Sequence, residues 1–143
     1  MTFQLHKRLQ EDTFGLVGLS LSRVLLMNDA SFPWMILVPE RAGIREVHEL
    51  SGEERSVLIE EISVTSEILQ RLFAPDKINI GTLGNLVPQL HVHIVARFKT
   101  DRSWPGPVWG SGPGRPYSAD ELSDISSRIR QAFRQKGWST CPK

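Results

Sequence analysis

Two histidines separated by one residue, His91 and His93, stand in the run Gln89 to Arg97, which reads Q-L-H-V-H-I-V-A-R. Gln89, His91 and His93 share one parity, and Leu90, Val92 and Ile94 share the other. A β-strand sends successive side chains to opposite faces, so the run predicts a strand with one buried face and a row of an amide and two imidazoles on the other. Members of that row stand about 7 Å apart, two steps of roughly 3.3 Å. Neutral imidazole is a good nucleophile toward phosphorus, and an ordinary pKa of about 6.5 keeps much of it neutral at physiological pH. The attacking nitrogen needs the other ring nitrogen held as a donor, usually to a backbone carbonyl. A second imidazole two residues on reaches the same phosphate, to stabilise charge or protonate the leaving group. Backbone amides of the glycine-containing turn Gly81 to Asn85 can receive the phosphate oxygens. The same pair also fits a metal site or a solvent-facing stripe. A metal needs a third ligand, and the other histidines, His6 and His48, lie in segments with no obvious register to this strand.

The segments around the run must position it. Ser22 to Met27 is a short apolar run closed by Asn28-Asp29, and Trp34 to Pro39 follows it, so the two predict an antiparallel hairpin. Residues 1–15 fit a short helix or strand on the outside. Leu50-Ser51-Gly52-Glu53-Glu54 carries a capping box and staple. The helix it starts predicts a buried face of Leu58, Ile62, Thr65, Leu69 and Leu72 or Phe73, with Pro75 as its stop. Lys77 to Thr82 alternates again and predicts a strand beside the histidine strand, which spans 89–97. The segment 101–117 is a Gly/Pro/Trp-rich loop, in which Trp104 and Trp109 argue for a functional loop over a disordered one. Ser118 to Glu121 is a second capping box, opening a C-terminal helix over 118–137 with Leu122, Ile125, Ile129 and Phe133 inward. The fold class is α+β, an antiparallel sheet of about five strands with one long helix packed on it.

The totals narrow the partners. A chain of 143 residues suits one domain over 1–143. A formal charge of +1 gives no footprint of a nucleic-acid binder or membrane surface. Cys141 is the lone cysteine, which removes intrachain disulfides and cysteine zinc sites and points to a cytoplasmic setting.

The run Asn79 to Arg97 resembles the signature of the histidine triad (HIT) superfamily, an N-x-G segment and a glycine-glutamine element ahead of His-φ-His-φ-His-φ-φ, where φ is apolar. The likeness extends over Arg23 to Gly110 through the Asn-Asp turn, the strand ending in V-P, the long helix and the W-P-G segment. It implies a HIT-like fold, a homodimer, no cofactor and no metal. It also implies a nucleotide hydrolase or nucleotidyl transferase acting on a dinucleoside polyphosphate or nucleoside phosphate ester through a nucleotidyl-histidine. His91 falls on the central, attacking histidine and His93 on the last, a phosphate contact that assists the leaving group. Gln89 replaces the first histidine, Asn85 the phosphate-binding glutamine, and Gly84 matches the glycine before it. Asn79 matches an asparagine near the phosphates, Asn28 or Asp29 a ribose contact, and Trp104 is a candidate to stack on the nucleotide. Because Gln89 cannot ionise, a nucleotide-binding or sensing protein with little turnover is the alternative.

Overall fold

The computed structural model describes residues 2–138; Cys141 lies outside them. An N-terminal helix α1 (Lys7–Asp12) leads into β1 (Thr13–Gly18), β2 (Ser22–Met27) and β3 (Trp34–Pro39), then the long α2 (Gly52–Phe73), β4 (Lys77–Gly81), β5 (Val92–Arg97) and α3 (Ala119–Gln135). The strands form one antiparallel sheet in the order β1-β2-β3-β5-β4. This is the α+β architecture expected, with β1 as a strand that the sequence did not separate from its neighbours. The strand at 89–97 is shorter than predicted: β5 begins at Val92, and Gln89 to His91 approach it as irregular backbone. The face assignment still holds, because Val92, Ile94 and Ala96 enter the core under the helices while Val95 enters the cluster on the opposite face.

Both long helices begin as their capping boxes dictate. The Ser51 hydroxyl accepts from the Glu54 amide at 3.1 Å, and the Glu54 carboxylate accepts from the Ser51 amide at 2.8 Å. Leu58, Ile62, Thr65 and Leu69 are buried as spaced, whereas Leu72 and Phe73 are half-buried where the helix runs out. Glu61 is buried with them and accepts from the Leu21 and Ser22 amides at 2.9 and 3.1 Å, which ties α2 to the β1–β2 turn. Ser118 and Glu121 repeat the box at α3, which buries Ile125, Ile129 and Phe133. Helices α2 and α3 cover one face of the sheet. The other face is covered by chain without long helices: Phe3, Leu5, Leu9, Val87, Val108 and Trp109 pack on Leu25, Phe32, Trp34, Ile36, Val38 and Val95. Among the described residues no helix is long and apolar enough to cross a membrane.

Arg97 ends β5 with its side chain 2% exposed, so its charge has to be answered internally. Asp101 accepts from its Nε and Nη2 at 2.8 and 3.1 Å, Asn79 from Nη1 at 2.8 Å and Ser103 from Nη2 at 3.1 Å. The Phe32 and Trp104 rings flank the guanidinium at 5.6 and 5.8 Å. Hydrogen bonding to Arg97, with the Phe98 and Ser103 amides behind it, outweighs burial and holds the Asp101 carboxyl down at about 2. A depressed carboxyl contributes stability that is complete above its unfolded pKa and fades as pH falls through the folded value. Asp101→Asn is therefore expected to lower the unfolding free energy at pH 7 by about 2 kcal/mol or more. Denaturant titrations should show the gap from the parent protein narrowing between pH 4 and pH 2.

Candidate active site

The loop-covered face of the sheet holds an open cleft of about 640 Å³. His91 and His93 lie in its floor, both 6% exposed, with ring centroids 4.9 Å apart. The rings are held in different ways. His91 Nδ1 lies 2.7 Å from the Gln89 carbonyl oxygen. A carbonyl oxygen only accepts, so Nδ1 carries the hydrogen and the lone pair of the neutral ring sits on Nε2. His93 has the opposite tautomer, because the Trp34 indole N–H donates to its Nδ1 at 3.0 Å and leaves Nε2 as the N–H. Burial, reinforced by the nearby His91, pushes the His93 pKa down to about 3. His93 is then a neutral hydrogen-bond donor at physiological pH, suited to a phosphate oxygen or leaving oxygen rather than to delivering a proton as a cation.

Aromatic rings fix His93 from two sides: Trp34 with its centroid 5.7 Å away and Trp109 at 5.5 Å. Trp109 reaches this position because residue 81, paired with His93 in the sheet, is glycine; a Cβ there would lie 2.9 Å from the indole. Gly84 and Asn85 line the cleft as anticipated, with Gly84 at φ +81°, a left-handed conformation that favours glycine. Leu83, Leu86 and Val87 complete that rim.

Several anticipated site residues have other work. The Gln89 carboxamide turns to the N-terminal segment, accepting from the His6 amide at 2.9 Å and donating to the Gln4 carbonyl at 2.8 Å. Its link to the histidines is its backbone oxygen. Asn79 and Trp104 do not line the cleft; both serve the buried Arg97. Asn28 and Asp29 do line it, yet each also ties down the 110–117 segment. Asn28 Oδ1 accepts from the Tyr117 amide at 2.9 Å. Asp29 accepts from the Ser31 and Arg115 amides at 2.9 and 3.2 Å and pairs with Arg102 at 3.2 Å. Burial raises the Asp29 pKa, but these donors outweigh it and hold the carboxyl below its usual value. Sequence reasoning did not assign the cleft residues Trp34, Arg102, Arg8 and Asp12. Trp34 shares the parity of Ile36, so the pairing of Ile36 with His93 is the signal that places it near that ring. Among the described residues no three His, Cys, Asp or Glu side chains gather as a metal site.

The HIT domain model matches residues 8–100. This chain belongs to the HIT domain family. A histidine triad protein of Marinobacter aquaeolei is similar to it at 45% identity with a TM-score of 0.92, over 94% of this chain and 98% of that one. One from Bradyrhizobium japonicum is 43% identical with a TM-score of 0.90, over 92% of this chain and 98% of that one. A 74-residue stretch, 48% of this chain, is 28% identical to the asymmetrical bis(5'-nucleosyl)-tetraphosphatase of Schizosaccharomyces pombe, and takes in 40% of that protein.

Two substitutions probe the supports of the HIT histidines. Trp34→Phe removes the donor that favours the neutral ring at His93 Nδ1, and nitrogen-detected NMR titration should show the His93 ring titrating higher than in the parent. Gln89→Ala removes two hydrogen bonds to the N-terminal segment and is expected to cost about 1–2 kcal/mol. Amide exchange at His6 should accelerate, while the His91 Nδ1–H resonance keeps its hydrogen-bonded shift.

Proposed function

We propose that the protein is a nucleotide hydrolase or nucleotidyl transferase that acts on a dinucleoside polyphosphate or nucleoside phosphate ester through a covalent intermediate on His91. The observation that carries the reading is the 2.7 Å contact of His91 Nδ1 with the Gln89 carbonyl, which directs the ring's lone pair to Nε2. His91 Nε2 attacks the α-phosphorus, a P–N bond forms, the bond from phosphorus to the leaving oxygen breaks, and that oxygen departs with the electron pair. His93 Nε2–H donates to an oxygen of the group in flight. Water or another hydroxyl acceptor then attacks phosphorus and gives up its proton to solvent, the P–N bond breaks, and its electron pair returns to His91 Nε2. The likeness to a tetraphosphatase supports the substrate class.

Gln89 keeps the orienting carbonyl that this mechanism uses while its side chain is engaged elsewhere, which favours turnover over binding alone. A homodimer accompanies the reading: Ile80 on the edge strand β4 and Ile59 on α2 are large apolar side chains that the single chain leaves exposed.

Diadenosine polyphosphates and adenosine phosphoramidate, mixed with enzyme and quenched without acid, should give a mass increase of one nucleotidyl group on His91. His91→Ala should abolish the adduct and lower kcat by roughly 10³-fold or more. Unchanged turnover in that variant overturns the assignment.

A further inference from the structure

The Asp29 carboxylate stands at one of the two positions, Asn28 or Asp29, where a ribose contact is expected, but it is already engaged. It is 4% exposed, the Ser31 and Arg115 amides both donate to Oδ1, Arg102 donates to Oδ1 and Oδ2, and Gly114 passes so near that a Cβ there would lie 2.8 Å from Asp29 Cγ. Freeing it for a ligand means giving up the attachment of the 110–117 segment. A second carboxylate, that of Asp12, lines the same cleft. Asp12 ends α1, and its backbone oxygen accepts from the Asn28 amide at 3.0 Å, so Asp12 and Asn28 are neighbours across adjacent chain segments. Both line the cleft.

We propose that Asp12, rather than Asp29, is the carboxylate that reads the ribose hydroxyls of the nucleotide, an inference that rests on the function proposed above. Asp12 is about half exposed, and its one side-chain contact is the i,i+4 pair with Arg8 at 3.4 Å to Oδ2. Such an exposed pair is weak and exchanges readily for a ligand. Oδ1 has no hydrogen-bond partner among the described residues. The Asn28 carboxamide uses its oxygen on Tyr117, which leaves Nδ2 with two hydrogens to donate. An acceptor carboxylate and a donor amide on neighbouring residues of one cleft suit a vicinal diol, whose hydroxyls each donate and accept; a carboxylate on ribose hydroxyls is also how dinucleotide-binding folds read the sugar. The position of Asp12 is well fixed. Leu9 is 4% exposed against the loop-side cluster, and Gln89 anchors the segment just ahead of α1 at Gln4 and His6.

The test compares adenosine substrates with their 2',3'-dideoxy counterparts in the parent protein, Asp12→Asn and Asp29→Asn, with Tm measured for each. Asp12→Asn should lower kcat/KM for the ribose substrate by about tenfold or more, as loss of a charge-assisted hydrogen bond does, and leave the dideoxy substrate unaffected. Asp29→Asn should lower Tm and preserve the ribose-to-dideoxy ratio. A ratio that collapses in Asp29→Asn and survives in Asp12→Asn overturns the proposal, as does an equal loss on both sugars in Asp12→Asn. If no variant or parent turns over any substrate, the hydrolase reading fails separately; calorimetric binding of AMP against dideoxy-AMP then applies the same ratio. Absence of AMP binding overturns both.

Discussion

The interaction on which the rest depends is the burial of β5. All six of its residues are buried, and two of them, His93 and Arg97, are polar. An unsatisfied polar group in that position costs about 1–3 kcal/mol, and more when charged, so every donor and acceptor there must be met. The partners come from different parts of the chain: Trp34 from β3 for His93, Asn79 from β4, and Asp101 and Ser103 from the following loop for Arg97. One strand's polar requirements thereby fix the strand on each side of it and the start of the tryptophan-bearing loop. The cleft is a by-product of the same requirement, since the aromatic rings that shelter His93 also wall it.

The sheet has two unlike coats. Helices α2 and α3 lay aliphatic side chains on one face, in register with their capping boxes. The other face is closed by the N-terminal segment, the 83–90 turn and the 101–117 loop, held by side chain to backbone hydrogen bonds that span most of the chain length, such as Gln89 to Gln4 and Asn28 to Tyr117. The cleft with its two histidines sits on the second face, where irregular backbone brings side chains from distant parts of the sequence around one point, which a helix with a fixed repeat cannot do.

What could be read from the sequence was what depends on local periodicity. The parity of His91 and His93, the capping boxes at Ser51 and Ser118 and the buried stripe of α2 follow from repeats of two and 3.6 residues. Less legible were the contacts that side chains make outside any local repeat. Asn79 looked like a phosphate contact by its place in the motif, yet its oxygen belongs to Arg97, eighteen residues on. Trp104 is drawn to the same guanidinium. The Gln89 carboxamide clamps the N-terminal segment, a contact across more than eighty residues that no window of sequence contains. Trp34 was legible as a strand residue but not as the group that sets the His93 tautomer, which needs the β3–β5 register.

The pairing of Gly81 with the Trp109 indole is a volume trade between two positions 28 residues apart. Any side chain at 81 must be matched by a smaller ring at 109, or the indole moves and carries the His93 ring with it. A relative that has filled the space at 81 should therefore have emptied it at 109, and in such a relative the second wall of the imidazole would be supplied by the sheet rather than by the loop. Between the two arrangements the loop changes from a structural part of the histidine end of the cleft to a dispensable cover, free to vary in length.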